Sequence, residues 1–245
     1  MKQDNLKIIK IIFFWLFLIQ IIYLISVSSV FGYFWETSAE RKTLPSSNIV
    51  YTPELFKNGY YFVYFTTVTN LLLALSGLIF IIKPESVHRK RFFFISVTYM
   101  TITVLFYWSL ISWNESARDT WENPLKVINT LFVHLIFYIQ ALVALFIFRK
   151  YLIMSYKEIL VGVVGLWAYF VFTLCVFYLT DPHVVIYDFI NFKKPLFIET
   201  NNSALRIFII AAMIVITPFL SVLNGIILKA FISIKRKKEP LKTIK

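Results

Sequence analysis

The chain has 245 residues, of which 59% are hydrophobic and 19% aromatic, and its formal net charge is +12 at pH 7. A soluble domain is usually about 45–50% apolar, so this composition, with a mean hydropathy of +0.73, excludes an ordinary soluble fold. The composition predicts an all-α integral membrane protein, a bundle of six transmembrane helices that forms a single domain.

Six apolar runs are long enough to cross a bilayer, which takes roughly 20 residues of helix. The first run follows a short cationic segment, but it is too long for a secretory signal, whose apolar core is about 7–15 residues, and no A-x-A cleavage site follows it. We therefore expect the first run to be retained as a membrane span. The predicted spans are approximately residues 8–30, 59–82, 92–113, 127–148, 159–179 and 204–230.

Lysine and arginine are distributed unequally between the two sets of loops. The N-terminus, residues 83–91, residues 149–158 and the tail from Lys229 together hold 17 Lys/Arg and 4 Asp/Glu, whereas the other loops hold 8 and 9. The positive-inside rule assigns the basic side to the cytoplasm. The pattern predicts a multi-pass protein of the cell membrane with both termini cytoplasmic, and it explains the basic charge without a nucleic-acid partner.

Few side chains in the predicted spans can transfer a proton. Thr66, which is followed by Thr67, lies seven residues after Gly59, the expected outer start of span 2. His134 lies seven residues after Val127, the expected outer start of span 4. At 1.5 Å per residue, both positions are about 10 Å below the outer face, which permits contact between them. An ionisable group in a membrane is costly and therefore indicates a functional site.

Other polar residues are expected at the same level. Asn70 follows Thr66 by one helical turn, and Asn129 precedes His134. Span 3 adds a Tyr-Trp-Ser triplet at residues 107–109, so the spans together predict a polar layer in the outer leaflet.

A nucleophile and a base in this layer would suit ester chemistry. A threonine hydroxyl needs a base within hydrogen-bond reach, and neutral imidazole is the usual choice. An asparagine amide can orient the base or donate to a developing oxyanion. Esters along acyl chains lie at this depth, so the pattern predicts a lipid-like substrate. The alternative is structural, because membrane Thr often bonds its own helix and Asn and His join helices with about 0.6–2 kcal/mol.

Metal and thiol chemistry find little support. The three histidines lie on different sides or at different depths, and no H-x-x-x-H pair or carboxylate cluster accompanies them, so neither a metal nor a cofactor is expected. The single cysteine, Cys175, excludes an internal disulfide. We expect Cys175 to be a small buried hydrophobe of span 5.

Three short segments resemble a known family. The segment YFTTVTN at residues 64–70 resembles the Y-F-T-x-x-[ST]-N signature of a bacterial group of six-span proteins. That group is related to the androgen-induced and androgen-dependent TFPI-regulating proteins of animals. NTLFVH at residues 129–134 resembles the N…H stretch of the family's span 4, with one additional residue, and YDF at residues 187–189 is similar to its Y-P-F-L-D ending.

This resemblance implies an activity. The animal members are membrane threonine hydrolases that cleave fatty-acid esters of hydroxy fatty acids and depend on one Thr and one His. By position, the resemblance assigns the nucleophile to Thr66 and the base to His134. Thr67, three residues before Asn70, is an alternative nucleophile. The implied function is an intramembrane lipid-ester hydrolase, with Asn70 or Asn129 in a supporting role.

Two non-enzymatic functions stay open, a transporter subunit and an assembly factor, whereas a proton-coupled carrier does not fit. The first is a substrate-capturing subunit of a membrane transporter that works with an energising ATPase. Such subunits often dock through an A-x-x-x-A pattern in span 1, and residues 8–30 contain no Ala or Gly. A proton-coupled carrier would place an Asp, a Glu or a second His in the membrane, and the predicted spans contain none. The other is an assembly factor, which would purify with a stable protein partner.

Overall fold

The structure, a computed structural model, describes residues 3–38, 49–51, 63–113, 118–181 and 183–233. Six helices in these ranges are long and apolar enough to span a membrane, which confirms the predicted six-helix membrane bundle. The six long helices are α1 (Gln3–Ser38), α2 (Phe65–Ile82), α3 (Val87–Phe106, then the π turn Tyr107–Ile111), α4 (Pro124–Leu131, the π turn Phe132–Ile136, then Phe137–Ile147), α5 (Gly162–Leu179) and α6 (Ser203–Ser233). Helices α3 and α4 thus each contain a five-residue π-helical turn.

Polar N-cap residues, Asn123 and Ser155, define where two of the helices begin. The Asn123 side chain accepts a hydrogen bond from the backbone N–H of Leu125 at 3.0 Å, at the start of α4. A capping box of Ser155 and Glu158 begins a short helix, Tyr156–Leu160, that leads into α5. These caps satisfy N–H groups that the first helical turn leaves without a partner.

Helix α2 begins later than the sequence predicts. Tyr64 is its N-cap, with extended backbone (φ −69°, ψ 131°), and the first helical residue is Phe65. The predicted start, Gly59, lies outside the described residues. As a result Thr66 occupies the first turn of α2, and its depth cannot be counted as seven residues of helix.

Aromatic packing joins the first three helices at one end of the bundle. Phe17 of α1 is fully buried, and its ring meets that of Phe93 edge to face at 5.9 Å. The Phe80 and Phe93 rings stack at 4.8 Å. A Cβ atom on Gly77 would lie 2.6 Å from the Phe17 ring, so only glycine allows α1 to approach α2 this closely.

The loop between α5 and α6 folds back onto the opposite end. Its Val185, Phe189 and Phe192 pack with Phe170 and Met213 of the two helices in a second apolar cluster. The same loop contains strand β2 (His183–Val185), which pairs in parallel with β1 (Ile49–Tyr51). The sequence did not predict this strand pair, which lies outside the spanning helices.

Cys175 is exposed on α5, so the expectation that it is buried is wrong. The buried side of α5 includes Leu166, Phe170, Thr173 and Phe177, which recur every three to four residues. Cys175 lies midway between Thr173 and Phe177, and at 3.6 residues per turn it faces away from that stripe. An apolar run alone did not reveal which side of the helix faces the bundle.

Candidate functional site

Thr66 lies where two tyrosine hydroxyls meet the start of α2. The backbone N–H of Thr66 donates to the Tyr187 hydroxyl at 3.3 Å. The N–H of Phe65 donates to the Tyr169 hydroxyl at 3.1 Å, and Tyr169 in turn donates to the Val63 carbonyl at 3.0 Å. Two side chains from α5 and the loop that follows it therefore hold the N-terminal turn that carries Thr66.

His134 lies in the π turn of α4, against the π turn of α3. The imidazole stacks on the Tyr107 ring with 3.7 Å between centroids and 11° between planes. Trp108 Nε1 donates to the backbone carbonyl of His134 at 3.3 Å. Residues 107–109 were predicted at the level of His134, and the first two of them contact it. Single π turns within α-helices occur frequently at functional sites.

The imidazole itself has an unused nitrogen. His134 is 7% exposed, and its Nδ1 atom is buried without a hydrogen-bond partner among the residues that the structure describes. A buried polar atom without a partner costs about 1–3 kcal/mol. The Nδ1 atom can therefore accept a proton or a hydrogen bond from a group that reaches it.

Asn70 links α2 to the segment that carries His134. Its Nδ2 atom donates to the Val133 carbonyl at 3.0 Å and to the Thr66 carbonyl at 2.9 Å. Asn70 therefore bonds the backbone next to both predicted site residues, at Thr66 and at Val133, and does not bond the imidazole of His134. Because Thr66 precedes Asn70 by four residues, it lies about 6 Å further toward the start of α2.

Two glutamines extend this network across the bundle. Gln20 of α1 is fully buried and donates to the Asn70 backbone carbonyl at 3.2 Å and to its Oδ1 at 3.4 Å. Gln140 of α4 donates to Gln20 Oε1 at 3.4 Å. Neither glutamine was predicted to be part of the site, although each is an amide inside an apolar run, a residue type that often joins membrane helices.

Asn129 and Thr67 occupy other surroundings. The Asn129 Oδ1 atom accepts a hydrogen bond from the Tyr23 hydroxyl of α1 at 3.1 Å. Thr67 is partly exposed on α2, next to Thr66 in the chain.

A cavity of about 240 Å³ lies between α2, α3, α5 and α6, with the loop after α5 along one side. An apolar cavity of about 150 Å³ holds a benzene molecule, so this one has room for a larger apolar group. Most of its lining is aliphatic or aromatic. The polar side chains in the lining are Thr66, Thr103, Tyr107, Tyr169, Tyr187 and Thr217.

Only one of the two residues that the sequence paired lines the cavity. Thr66 and Tyr107 line the cavity, whereas His134, Thr67, Asn70 and Asn129 are not part of its lining. The Tyr107 ring, stacked on the imidazole, lines the cavity in its place. The site thus offers a hydroxyl at the cavity surface and a buried base behind an aromatic ring.

Tyr169 and Tyr187, whose hydroxyls bond the start of α2, were not predicted to contact Thr66 or its neighbours. Tyrosines near span ends suggested an interfacial aromatic belt, and only the YDF segment drew attention to Tyr187.

Within the described part of the chain, no three His, Cys, Asp or Glu residues are grouped so that they could hold a metal ion.

No family model, curated protein or solved structure matches the chain.

Proposed function

We propose that the protein is an intramembrane lipid-ester hydrolase in which Thr66 is the nucleophile and His134 the base. The observation that carries this proposal is the position of Thr66, beside the hydroxyls of Tyr169 and Tyr187, in the lining of a mostly apolar cavity between membrane helices. The acyl part of a lipid would fill the apolar volume and bring its ester carbonyl to Thr66. The resemblance of residues 64–70 and 129–134 to a family of threonine hydrolases supports the same assignment.

The chemistry follows the usual two steps of acyl transfer. The Thr66 Oγ1 atom attacks the ester carbonyl carbon, and its proton passes to His134. The tetrahedral intermediate collapses, the ester bond breaks, and the leaving alcohol takes up that proton. Water then attacks the acyl-Thr66 ester with the same base, which releases a fatty acid and restores the threonine.

Tyr107 lies between the imidazole and the cavity. Its ring stacks on His134 and forms part of the cavity wall. In this mechanism the ring would turn aside to open the imidazole to the cavity, and the Nδ1 atom, which no described residue binds, would accept the proton of Thr66. Asn70 would hold the backbone on both sides of the pair, and Asn129 would anchor α4 to α1.

A second candidate is a non-enzymatic protein that binds a lipid-like ligand, such as the substrate-capturing subunit of a transporter. The observation that favours it is that Tyr107, and not His134, faces the cavity. In this case the cavity would bind the ligand and the polar residues would set its orientation. An assembly factor would need a stable protein partner, and copurification of one would favour that function.

We also propose that the protein lies in the cell membrane with both termini in the cytoplasm. The basic loops support this orientation, because they gather at one end of the bundle. There Arg91 pairs with Glu158, and the Lys229 ammonium lies 3.5 Å from the centre of the Tyr156 ring. In a C175S background, a membrane-impermeant maleimide added to intact cells should label N201C and leave E85C unlabelled. The reverse pattern would contradict the orientation.

A covalent probe tests the hydrolase directly. The purified protein, in detergent, is incubated with a fluorophosphonate, digested and analysed by mass spectrometry to find the modified residue. We expect the phosphonyl group on Thr66. Modification of Thr67 would transfer the nucleophile to the neighbouring residue. No modification of a protein shown to be folded would favour the ligand-binding candidate.

A further inference from the structure

The two tyrosines at the start of α2 differ in how their hydroxyls are used. Tyr169 accepts from the N–H of Phe65 and donates to the Val63 carbonyl, so its own proton has an acceptor. Tyr187 accepts from the N–H of Thr66 at 3.3 Å, and its hydroxyl also lies beside the side chains of Thr66 and Tyr169. Within the described residues no backbone carbonyl accepts a hydrogen bond from Tyr187, whereas Tyr169 donates to one. The Tyr187 proton can therefore turn to a ligand without breaking a bond to the backbone.

Ring contacts fix the Tyr187 side chain at the cavity surface. Its ring meets that of Tyr64 at 5.3 Å and 69°, and that of Phe189 at 5.2 Å and 34°. Both Tyr187 and Thr66 line the cavity. A carbonyl group that approaches the Thr66 hydroxyl from the cavity would therefore come next to the Tyr187 hydroxyl as well.

The surroundings make Tyr187 a hydrogen-bond donor rather than a base. Burial raises the pKa of its hydroxyl above the ordinary value near 10, and hydrogen bonds from Thr66 only partly offset this. The phenol is therefore protonated at neutral pH. The N–H that it accepts belongs to the first turn of α2, where the helix dipole favours negative charge. A hydroxyl polarised by an accepted hydrogen bond donates more strongly.

We propose that Tyr187 is a further catalytic residue, whose hydroxyl donates a hydrogen bond to the carbonyl oxygen of the ester that Thr66 attacks. This inference rests on the proposed hydrolase function. As the Thr66 Oγ1 atom bonds to the carbonyl carbon, the π electrons of the carbonyl move onto its oxygen. Tyr187 stabilises this oxyanion without giving up its proton, and the oxyanion re-forms the carbonyl when the alcohol leaves.

The test compares Y187F with Y169F in hydrolysis of 4-nitrophenyl octanoate by purified protein in detergent. Loss of one oxyanion donor costs about 10²–10³ in kcat. We expect Y187F to lose that much in kcat with KM changed less than about threefold. Y169F is the matched control, because it removes a hydroxyl with two backbone bonds from the same turn. A merely structural effect would be at least as large in Y169F, so equal losses in the two variants overturn the inference.

A second substitution keeps the side chain's shape and hydroxyl. Genetically encoded 3,5-difluorotyrosine at position 187 gives a more acidic phenol, so the alkaline limb of the kcat profile should shift to lower pH. A profile that stays in place overturns the inference, as does a Y187F protein with the wild-type kcat. If the wild-type protein neither hydrolyses the ester nor reacts with a fluorophosphonate, the proposed function fails as well. That outcome is recognised without any Tyr187 variant.

Discussion

Replacing Thr66 with alanine is expected to lower kcat for 4-nitrophenyl octanoate at least about 10³-fold and to abolish fluorophosphonate labelling. Without the Thr66 hydroxyl the acyl-enzyme ester cannot form, and losses of this order or larger follow removal of a nucleophilic hydroxyl. Thr66 lies at the cavity surface, where the ester would bind. Initial rates and labelling of the purified variant, with its thermal stability in detergent, provide the measurement.

Two neighbouring substitutions serve as controls. T66S keeps a hydroxyl at the same atom and should recover part of the activity. T67A removes the adjacent hydroxyl, which is not part of the cavity lining, and should stay within about threefold of the wild type. If T67A is inactive and T66A is active, Thr66 is not the nucleophile. If both variants hydrolyse the ester normally, the protein is not a threonine hydrolase of this kind.

His134 belongs to the same experiment. A general base contributes about 10²–10⁴ in rate, so H134A should lose activity in this range while T66S retains more of it. The imidazole contacts Tyr107 through its face and has a free Nδ1 atom, and no described residue binds that atom. Full activity of H134A would mean that Thr66 uses another base or none.

Filling the cavity is expected to lower kcat/KM for a long-chain ester. Ala212 of α6 lines the cavity, whereas Ala211 beside it is exposed on the outer surface of the helix. In A212F the added ring would occupy part of the space of about 240 Å³. Excluding roughly two methylene groups of a chain costs about 1.6 kcal/mol, which is more than tenfold in kcat/KM.

The matched control is A211F, which places the same side chain on the lipid-facing side and should leave kcat/KM nearly unchanged. Chain length provides a second comparison. 4-Nitrophenyl acetate needs little of the apolar volume, so A212F should reduce its hydrolysis much less than that of the octanoate. Equal losses for the two esters, or for the two variants, would show that the acyl chain does not bind in this cavity.

The sequence led to Thr66 and His134 by counting residues from predicted span boundaries. The count was inexact for span 2, because α2 begins at Phe65 after the extended N-cap Tyr64. An apolar run does not show where within it a helix begins, since aromatic residues are tolerated both in a span and in the segment before it. The depth comparison placed Tyr107 and His134 in one layer, and the structure brings their rings into contact.

Other features of the site depend on contacts between residues far apart in the chain. Gln20 meets Asn70, and Tyr169 meets Val63 and Phe65. Nothing in the local sequence around any of these residues specifies the partner. The π turns are equally hard to foresee, because a run that is apolar on nearly every side does not show the shift in register that one extra residue causes.

Composition and the lengths of the apolar runs determined that this chain is a bundle of six membrane helices, because in lipid every backbone polar group must be bonded within its own segment. Loop charge also indicated an orientation without the tertiary structure, since it depends only on how many basic residues each loop carries. Only the tertiary structure decided which side of each helix faces its neighbours. That choice placed Thr66 and Tyr187 at a cavity and His134 behind Tyr107, and it left Cys175 on the outside. In a lipid-like solvent almost every side of an apolar helix is acceptable on the outside, so packing between helices, and not hydropathy, selects the inner one.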